Sequence, residues 1–184
     1  MIKKLLLIIL ILTSSAFAQD DIKGRAIALY ATQNYDSAFE LLDNLPSSQK
    51  DEEVFLLLSN ISLEKNDVNK AIQNLNKAIN KNNEYYKAYY NLGLIFAHRQ
   101  KYALAVDNFK LAIKYKNDFA PGYYNLACCE IELKEYKEAK KNLLKALKYD
   151  PNNKDYLYNL AYCYKKLNQK KQAQKILDVY NKLG

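Results

Sequence analysis

Apolar side chains recur along this sequence with the period of an α-helix. Tyr89, Leu92, Gly93 and Phe96 follow the i, i+3, i+4, i+7 spacing that brings side chains to one face of a helix. A polar stretch at residues 98–101 interrupts the pattern, which then resumes. The sequence therefore predicts two amphipathic helices joined by a short turn. The stripe of the second helix consists of Tyr102, Ala105, Phe109 and Ala112.

This pair of helices is repeated every 34 residues. A shift by that period places small residues on small ones and large apolar residues on large ones, in four parallel series that chance does not explain. Two helices cross closely only where a small residue faces the partner, so the small positions mark helix crossings. The small series are Ser59, Gly93, Ala127 and Ala161, then Ala71, Ala105, Ala139 and Ala173, then Ala78, Ala112 and Ala146, where Tyr180 departs from the pattern; the large series is Leu75, Phe109, Leu143 and Leu177.

These series resemble the tetratricopeptide repeat family. The resemblance implies an all-α fold, a right-handed superhelical solenoid of about five antiparallel helix pairs, with a concave groove that holds a peptide or a partner's helix. The first repeat departs from the family pattern at Arg25 and is shortened at Pro46, and the family's terminal proline occurs only at Pro151. We expect one array over residues 19–184. Its repeats are 19–51, 52–85, 86–119, 120–153 and 154–184.

The family's geometry places one face of each first helix in that groove. Tyrosine offers a large contact area with a hydroxyl, and an asparagine amide can bond both groups of an extended backbone. Alternatively, the tyrosines pack between repeats and the asparagines are helix-packing positions. The subclass that clamps C-terminal carboxylates needs basic residues where this chain has Leu, Tyr and Cys, which argues against that activity. The expected groove residues are Tyr90, Asn91, Leu94, Tyr124, Asn125, Cys128, Tyr158, Asn159 and Tyr162.

The N-terminus has the pattern of a secretory signal. Lys3 and Lys4 precede an apolar run at residues 5–12, and Ala16 and Ala18 frame a small-x-small cleavage site. A membrane anchor is the alternative, but a span needs about 20 apolar residues. We therefore expect residues 1–18 to be a leader cut after Ala18, no membrane span after its removal, and a periplasmic or secreted protein.

Composition supports a helical protein and reveals an uneven charge. The 184 residues include only 4 Gly and 3 Pro, which leaves few turn signals for a many-stranded sheet. The formal net charge is +8 at pH 7. Residues 134–184 hold 13 lysines against 5 acidic residues, whereas residues 19–133 hold 13 basic against 15 acidic ones. The basic segment indicates either an anionic partner or a solvated lysine face, and expected export argues against nucleic acid.

Residues for catalysis are sparse. The chain has one histidine, His98, and no nucleotide-binding, metalloprotease or serine-nucleophile motif. Cys128, Cys129 and Cys163 form no CxxC pair, and we expect free thiols packed in helices. We predict a protein that is not an enzyme and that needs neither cofactor nor metal.

Three functional hypotheses remain. The first is a protein–protein interaction scaffold of the cell envelope that binds a peptide or partner protein of unknown identity in the groove. The second is a basic envelope protein that binds anionic glycan or lipid headgroups through its lysine-rich C-terminal half. The third is an accessory domain of an enzyme. We expect a monomer, because the outer face of the last helix is mostly polar and this helix can cap the array itself. Alternatively, Val179 and Leu183 seed a homodimer.

Overall fold

The computed structural model describes residues 21–183, which form helices and no strand. The expected leader, residues 1–18, lies outside the described residues. The predicted all-α class is confirmed. None of the described helices is both long and apolar enough to cross a bilayer. The helices are α1 (21–31), α2 (Tyr35–Asp43), α3 (Glu52–Glu64), α4 (Val68–Lys81), α5 (Tyr86–His98), α6 (Tyr102–Tyr115), α7 (Ala120–Glu132), α8 (Tyr136–Tyr149), α9 (Lys154–Lys166) and α10 (Lys170–Lys182), with a 3₁₀ turn at Ser47–Gln49.

The chain divides into two compact halves. The N-terminal half ends at Asn83, and the C-terminal half begins at Glu84. In the N-terminal half α3 packs on α4. In the C-terminal half α5, α7 and α9 pack on α6, α8 and α10 respectively, and α6 and α8 also contact the first helix of the next pair. The first helices α3, α5, α7 and α9 start 34 residues apart.

Helices α5 and α6 cross where a small residue meets a large one. Phe109 of α6 is fully buried, and its ring lies over Gly93 of α5. A β-carbon at Gly93 would lie 2.6 Å from Phe109 Cε1, closer than two carbons can approach. Leu75 and Leu143 are equally buried at the equivalent position of their own pairs. The alternation of residue sizes in the sequence therefore fixes where the helices touch.

The turns between paired helices share one backbone geometry without glycine. In the turn of α5 and α6, the Gln100 N–H bonds the Ala97 carbonyl and the Lys101 N–H bonds the Phe96 carbonyl, both at 2.9 Å. This is the Schellman arrangement, which satisfies the last carbonyls of a helix. Because Lys101 is also the N-cap of α6, the second helix starts at once and must fold back. The left-handed residues of the five turns, with φ of 57–64°, are Gln33, Asn66, Gln100, Lys134 and Asn168.

One carboxyl group lies in the core of the C-terminal half. Glu130 of α7 is 2% exposed, at the position that Phe96 occupies one repeat earlier. Asn142 of α8 donates to both carboxylate oxygens, at 3.0 and 2.8 Å. Burial raises the pKa of Glu130 to about 7, although Asn142 and the charge of Lys110 oppose the shift. A single neutral amide does not compensate for removing a carboxylate from water.

We predict that Gly93→Ala destabilises the protein by about 1–3 kcal/mol, because the new methyl group meets a buried ring that cannot move aside. Gly24→Ala is the matched control. A β-carbon at Gly24 meets nothing within 4 Å, so this change in an exposed helix should stabilise by up to about 1 kcal/mol. Urea unfolding would measure both. A neutral or stabilising Gly93→Ala would contradict the close crossing.

Glu130→Gln should change how stability depends on pH. Between the ordinary carboxyl pKa of 4.5 and the folded pKa of about 7, only the folded state holds the Glu130 proton. Stability of the wild type therefore falls as pH rises through that window, by at most about 1.4 kcal/mol per unit of pKa difference. The glutamine variant escapes this loss, so its advantage over wild type in urea unfolding should be larger at pH 8 than at pH 5.

Glu138→Gln is the contrasting control for that experiment. A hydrogen bond from Lys141 lowers the pKa of Glu138, so this carboxylate contributes stability above its unfolded pKa. Because pH 5 and pH 8 both lie above the unfolded value of 4.5, its replacement should change stability by nearly the same amount at the two pH values. An advantage of Glu130→Gln that stays constant with pH would contradict a raised pKa at Glu130.

Candidate functional site

The nine expected groove residues all lie in the C-terminal half, on corresponding faces of α5, α7 and α9. We call this surface the candidate face. These first helices are neighbours, since α7 contacts both α5 and α9. Three of the nine side chains are exposed, and the other six are half-buried. The exposed ones are Leu94 at 37%, Tyr158 at 58% and Tyr162 at 36%.

Two hydrogen bonds link the first helices across the candidate face. The Asn125 Nδ2 atom of α7 donates to the Tyr90 hydroxyl of α5 at 2.9 Å. The Asn159 Nδ2 atom of α9 donates to the Tyr124 hydroxyl of α7 at 3.2 Å. Each bond joins a tyrosine to the asparagine 35 residues later, so we call them rungs. Of the three asparagine amides for which the sequence left a peptide backbone and helix packing open, those of Asn125 and Asn159 thus bind the neighbouring repeat.

The tyrosine rings of both rungs pack against other rings, Tyr90 within its own repeat and Tyr124 across to the next one. Tyr90 stands edge-on against Phe119, with ring centroids 4.9 Å apart. Tyr124 stacks on Tyr156 at 4.6 Å. Burial raises the pKa of both tyrosine hydroxyls, so they stay neutral at physiological pH. For Tyr90 and Tyr124, packing within the fold describes the geometry better than a free groove surface.

The asparagines keep part of their hydrogen-bonding capacity. Asn91 Nδ2 donates to the Lys87 carbonyl of its own helix at 2.8 Å. The side-chain oxygens of Asn91, Asn125 and Asn159 accept no hydrogen bond from residues 21–183. These carbonyl oxygens can therefore still accept an N–H from a ligand.

The cysteines are unsuited to nucleophilic chemistry. Cys128 lies beside the second rung, with its Sγ atom 3.6 Å from Asn159 Nδ2, and burial raises the pKa of its thiol. Burial raises the pKa of Cys129 and of Cys163 to about 12. All three are free thiols in the structure, and protonated thiols are poor nucleophiles. The part of the chain that the structure describes contains no cluster of side chains suited to a metal ion.

Tyr158, the third tyrosine at this repeat position, differs from Tyr90 and Tyr124. The Tyr158 hydroxyl accepts no hydrogen bond from an asparagine amide of the described residues. Its ring is tilted against that of Tyr180, with ring centroids 6.2 Å apart. Beside it lies an open cleft of about 170 Å³. The pattern of apolar positions had assigned Ala173 and Leu177 to the core, so this cleft was not predicted. Its lining residues are Tyr158, Ala161, Tyr162, Lys165, Ala173 and Leu177.

Comparison with known proteins supports the repeat pattern. A family model described as the tetratricopeptide repeat protein 21 C-terminal ARM domain matches residues 37–141, and a tetratricopeptide repeat model matches residues 131–183. A comparison with curated protein sequences found no significant match.

Solved structures of MamA, a protein of the tetratricopeptide type, have a similar fold. MamA AMB-1 superposes with a TM-score of 0.75 at 21% identity, over 91% of this chain and 92% of that one. A MamA RS-1 double mutant superposes with a TM-score of 0.78 at 16% identity, over 90% and 93%. At such identities the likeness concerns the fold alone.

We predict that Tyr124→Phe destabilises the protein by about 1 kcal/mol, because the Asn159 amide loses its acceptor. Tyr158→Phe removes the same atom at the equivalent position, where no rung forms, and should change stability by less than about 0.5 kcal/mol. Thermal unfolding of the two variants would show the difference. Equal effects would mean that the rung contributes nothing to the fold.

Proposed function

This chain belongs to the tetratricopeptide repeat family, and from that premise we propose that it is a protein-interaction scaffold that binds a partner's peptide or helix on the candidate face. The scaffold acts by binding alone. The observation that carries the proposal is the exposure of Tyr158 and Tyr162 beside the open cleft, while Tyr90 and Tyr124 are engaged within the fold.

The chemistry of the cleft favours one kind of ligand. Its apolar wall, which includes Leu177, suits an aliphatic or aromatic side chain of the partner. Lys165 lies at the rim, and the Lys166 ammonium lies 5.2 Å from the Tyr162 ring centroid. Tyrosine rings at a cleft are typical anchors of protein interfaces. We therefore assign to the ligand an apolar side chain that enters the cleft, next to an acidic residue that meets the lysines.

Binding on the candidate face would extend from this anchor along the helices. The exposed Leu94 offers a second apolar contact. The side-chain oxygens of Asn91, Asn125 and Asn159 offer acceptors for backbone N–H groups, which suits recognition that tolerates sequence variation. In Asn125 and Asn159 the amide nitrogen is engaged within the fold, which leaves the side-chain oxygen for a ligand.

We further propose that the scaffold works outside the cytoplasm. This rests on the leader pattern of residues 1–18. Protein recovered from the periplasm or the medium should then begin at Gln19 when its intact mass is measured. Retention of residues 1–18 would contradict export by cleavage of this leader.

A displayed library of random peptides tests the binding proposal without a known partner. Selection on the purified protein should enrich peptides that share an apolar residue next to an acidic one. A synthetic peptide of that class should bind the Tyr158→Ser, Tyr162→Ser double variant at least about tenfold more weakly by fluorescence anisotropy, since interface tyrosines often contribute about 2 kcal/mol or more.

Leu144→Ser is the control for that measurement. Leu144 is an exposed apolar residue of α8, a second helix that carries none of the candidate face. Its loss should leave the peptide affinity unchanged within about twofold. The proposal fails if no peptide is enriched, or if the enriched peptides bind the double tyrosine variant as tightly as wild type.

A further inference from the structure

A second cleft in the C-terminal half is lined by lysines. It has a volume of about 270 Å³ and lies between the start of α8 and the turn that precedes α10. Its lining consists of Lys137, Lys140, Lys141, Leu167 and Gln169. None of these residues belongs to the candidate face. The cleft is therefore a separate feature of the surface.

The ammonium groups of the cleft are incompletely neutralised. Lys141 pairs with Glu138, with Nζ and Oε1 2.8 Å apart. Lys137 is exposed and has no hydrogen bond or ion pair with residues 21–183. Three lysines and one carboxylate leave two positive charges at the cleft. A dianion would balance that charge.

Lys140 is the most informative of the three lysines. It is half-buried, yet the groups that its ammonium meets are neutral. Its Nζ atom donates to Gln169 Oε1 at 3.2 Å and lies 5.4 Å from the centroid of the Tyr164 ring. An ammonium carries three N–H donors, so two remain for a ligand.

The fold itself does not require lysines at these positions. One repeat earlier, the residues equivalent to Lys137, Lys140 and Lys141 are Ala103, Val106 and Asp107. That repeat forms the same helix pair with the same turn geometry. One repeat later, Lys137 and Lys141 recur as Lys171 and Lys175, whereas Lys140 is replaced by Gln174. Lys140 is therefore the lysine that distinguishes this cleft from the same place in the neighbouring repeats.

We infer that this cleft binds a phosphate group. Lys137 and Lys140 contact the phosphate oxygens, Gln169 donates through its Nε2 atom, and Lys141 adds charge from the edge. Because Gln169 Oε1 accepts from Lys140, its amide orients the ammonium while its own N–H groups face the ligand. The phosphate is either a free ion or the headgroup of a phospholipid, since both present the same oxygens.

Two probes distinguish these sources. Inorganic phosphate is titrated into the ¹⁵N-labelled protein, and amide shifts around residues 137–141 and 167–169 report its binding. Sedimentation with phosphatidylcholine vesicles, with and without phosphatidic acid, reports headgroup binding. Saturable shifts support a free phosphate as the source, and sedimentation that needs phosphatidic acid supports a headgroup. The inference would be overturned if the protein showed no saturable shifts with phosphate and no sedimentation that depends on phosphatidic acid.

The variants separate a built cleft from general basicity. Lys137→Gln with Lys140→Gln should weaken binding of the responding probe about tenfold or more, because two charged hydrogen bonds are lost. Lys171→Gln with Lys175→Gln removes the same charge from exposed positions of α10 outside the cleft and should change affinity less than about twofold. Equal losses in both pairs would overturn the inference in favour of a diffuse basic surface.

Gln169→Glu provides a second test that does not depend on the double variant. A carboxylate at this position should repel the phosphate and pair with Lys140, so affinity should again fall about tenfold or more. Circular dichroism confirms that each variant is folded. Unchanged affinity in folded Gln169→Glu would exclude this cleft as the site.

Discussion

The close crossing of two helices at a residue without a bulky side chain is the constraint on which the rest of the structure depends. At Gly93 there is room for the Phe109 ring and for nothing more. Dispersion and burial of such rings stabilise the pair, and the short left-handed turn returns the second helix at once. The close crossing and the left-handed turn both lie within one helix pair, so the same pair can recur every 34 residues.

Repetition of the pair brings equivalent residues of neighbouring first helices side by side. The Tyr90 and Tyr124 hydroxyls then lie within reach of the asparagines 35 residues later. The same step leaves Tyr158 exposed, because no rung forms on it within the described residues. One residue type at one repeat position therefore plays two parts. The inner tyrosines join helices, whereas the outer one is exposed and is the residue that we propose meets a partner.

Much of the fold could be predicted from the sequence, because residue size and period are local properties. The small and large series marked the helix crossings, and the polar stretches marked the turns. The left-handed turn residues could not be predicted, since a lysine such as Lys134 carries no signal for positive φ. The burial of Glu130 was also hidden, because a carboxylate at a core position resembles a surface residue until its neighbours are placed.

The candidate face was predicted as a set of residues but not as a geometry. Periodicity assigns Asn125 to a helix face, but it does not say whether the amide meets a ligand or Tyr90. That outcome depends on how neighbouring helices are offset, which no single helix encodes. The sequence indicated the lysine cleft only as an excess of positive charge. Gln169 lies in the turn before α10, and its position beside the α8 lysines becomes apparent only in the structure. The assignment of a peptide to the candidate face stays a prediction.

The central claim is that the inner tyrosine–asparagine pairs hold the first helices together and leave the outer tyrosines for a partner. A double-mutant cycle over Tyr90 and Asn125, with Tyr90→Phe, Asn125→Ala and the combined variant, tests it most directly. Urea unfolding should give a coupling energy of about 1 kcal/mol, because the second substitution has little left to remove once the first is made. Effects that add within about 0.3 kcal/mol would contradict the claim.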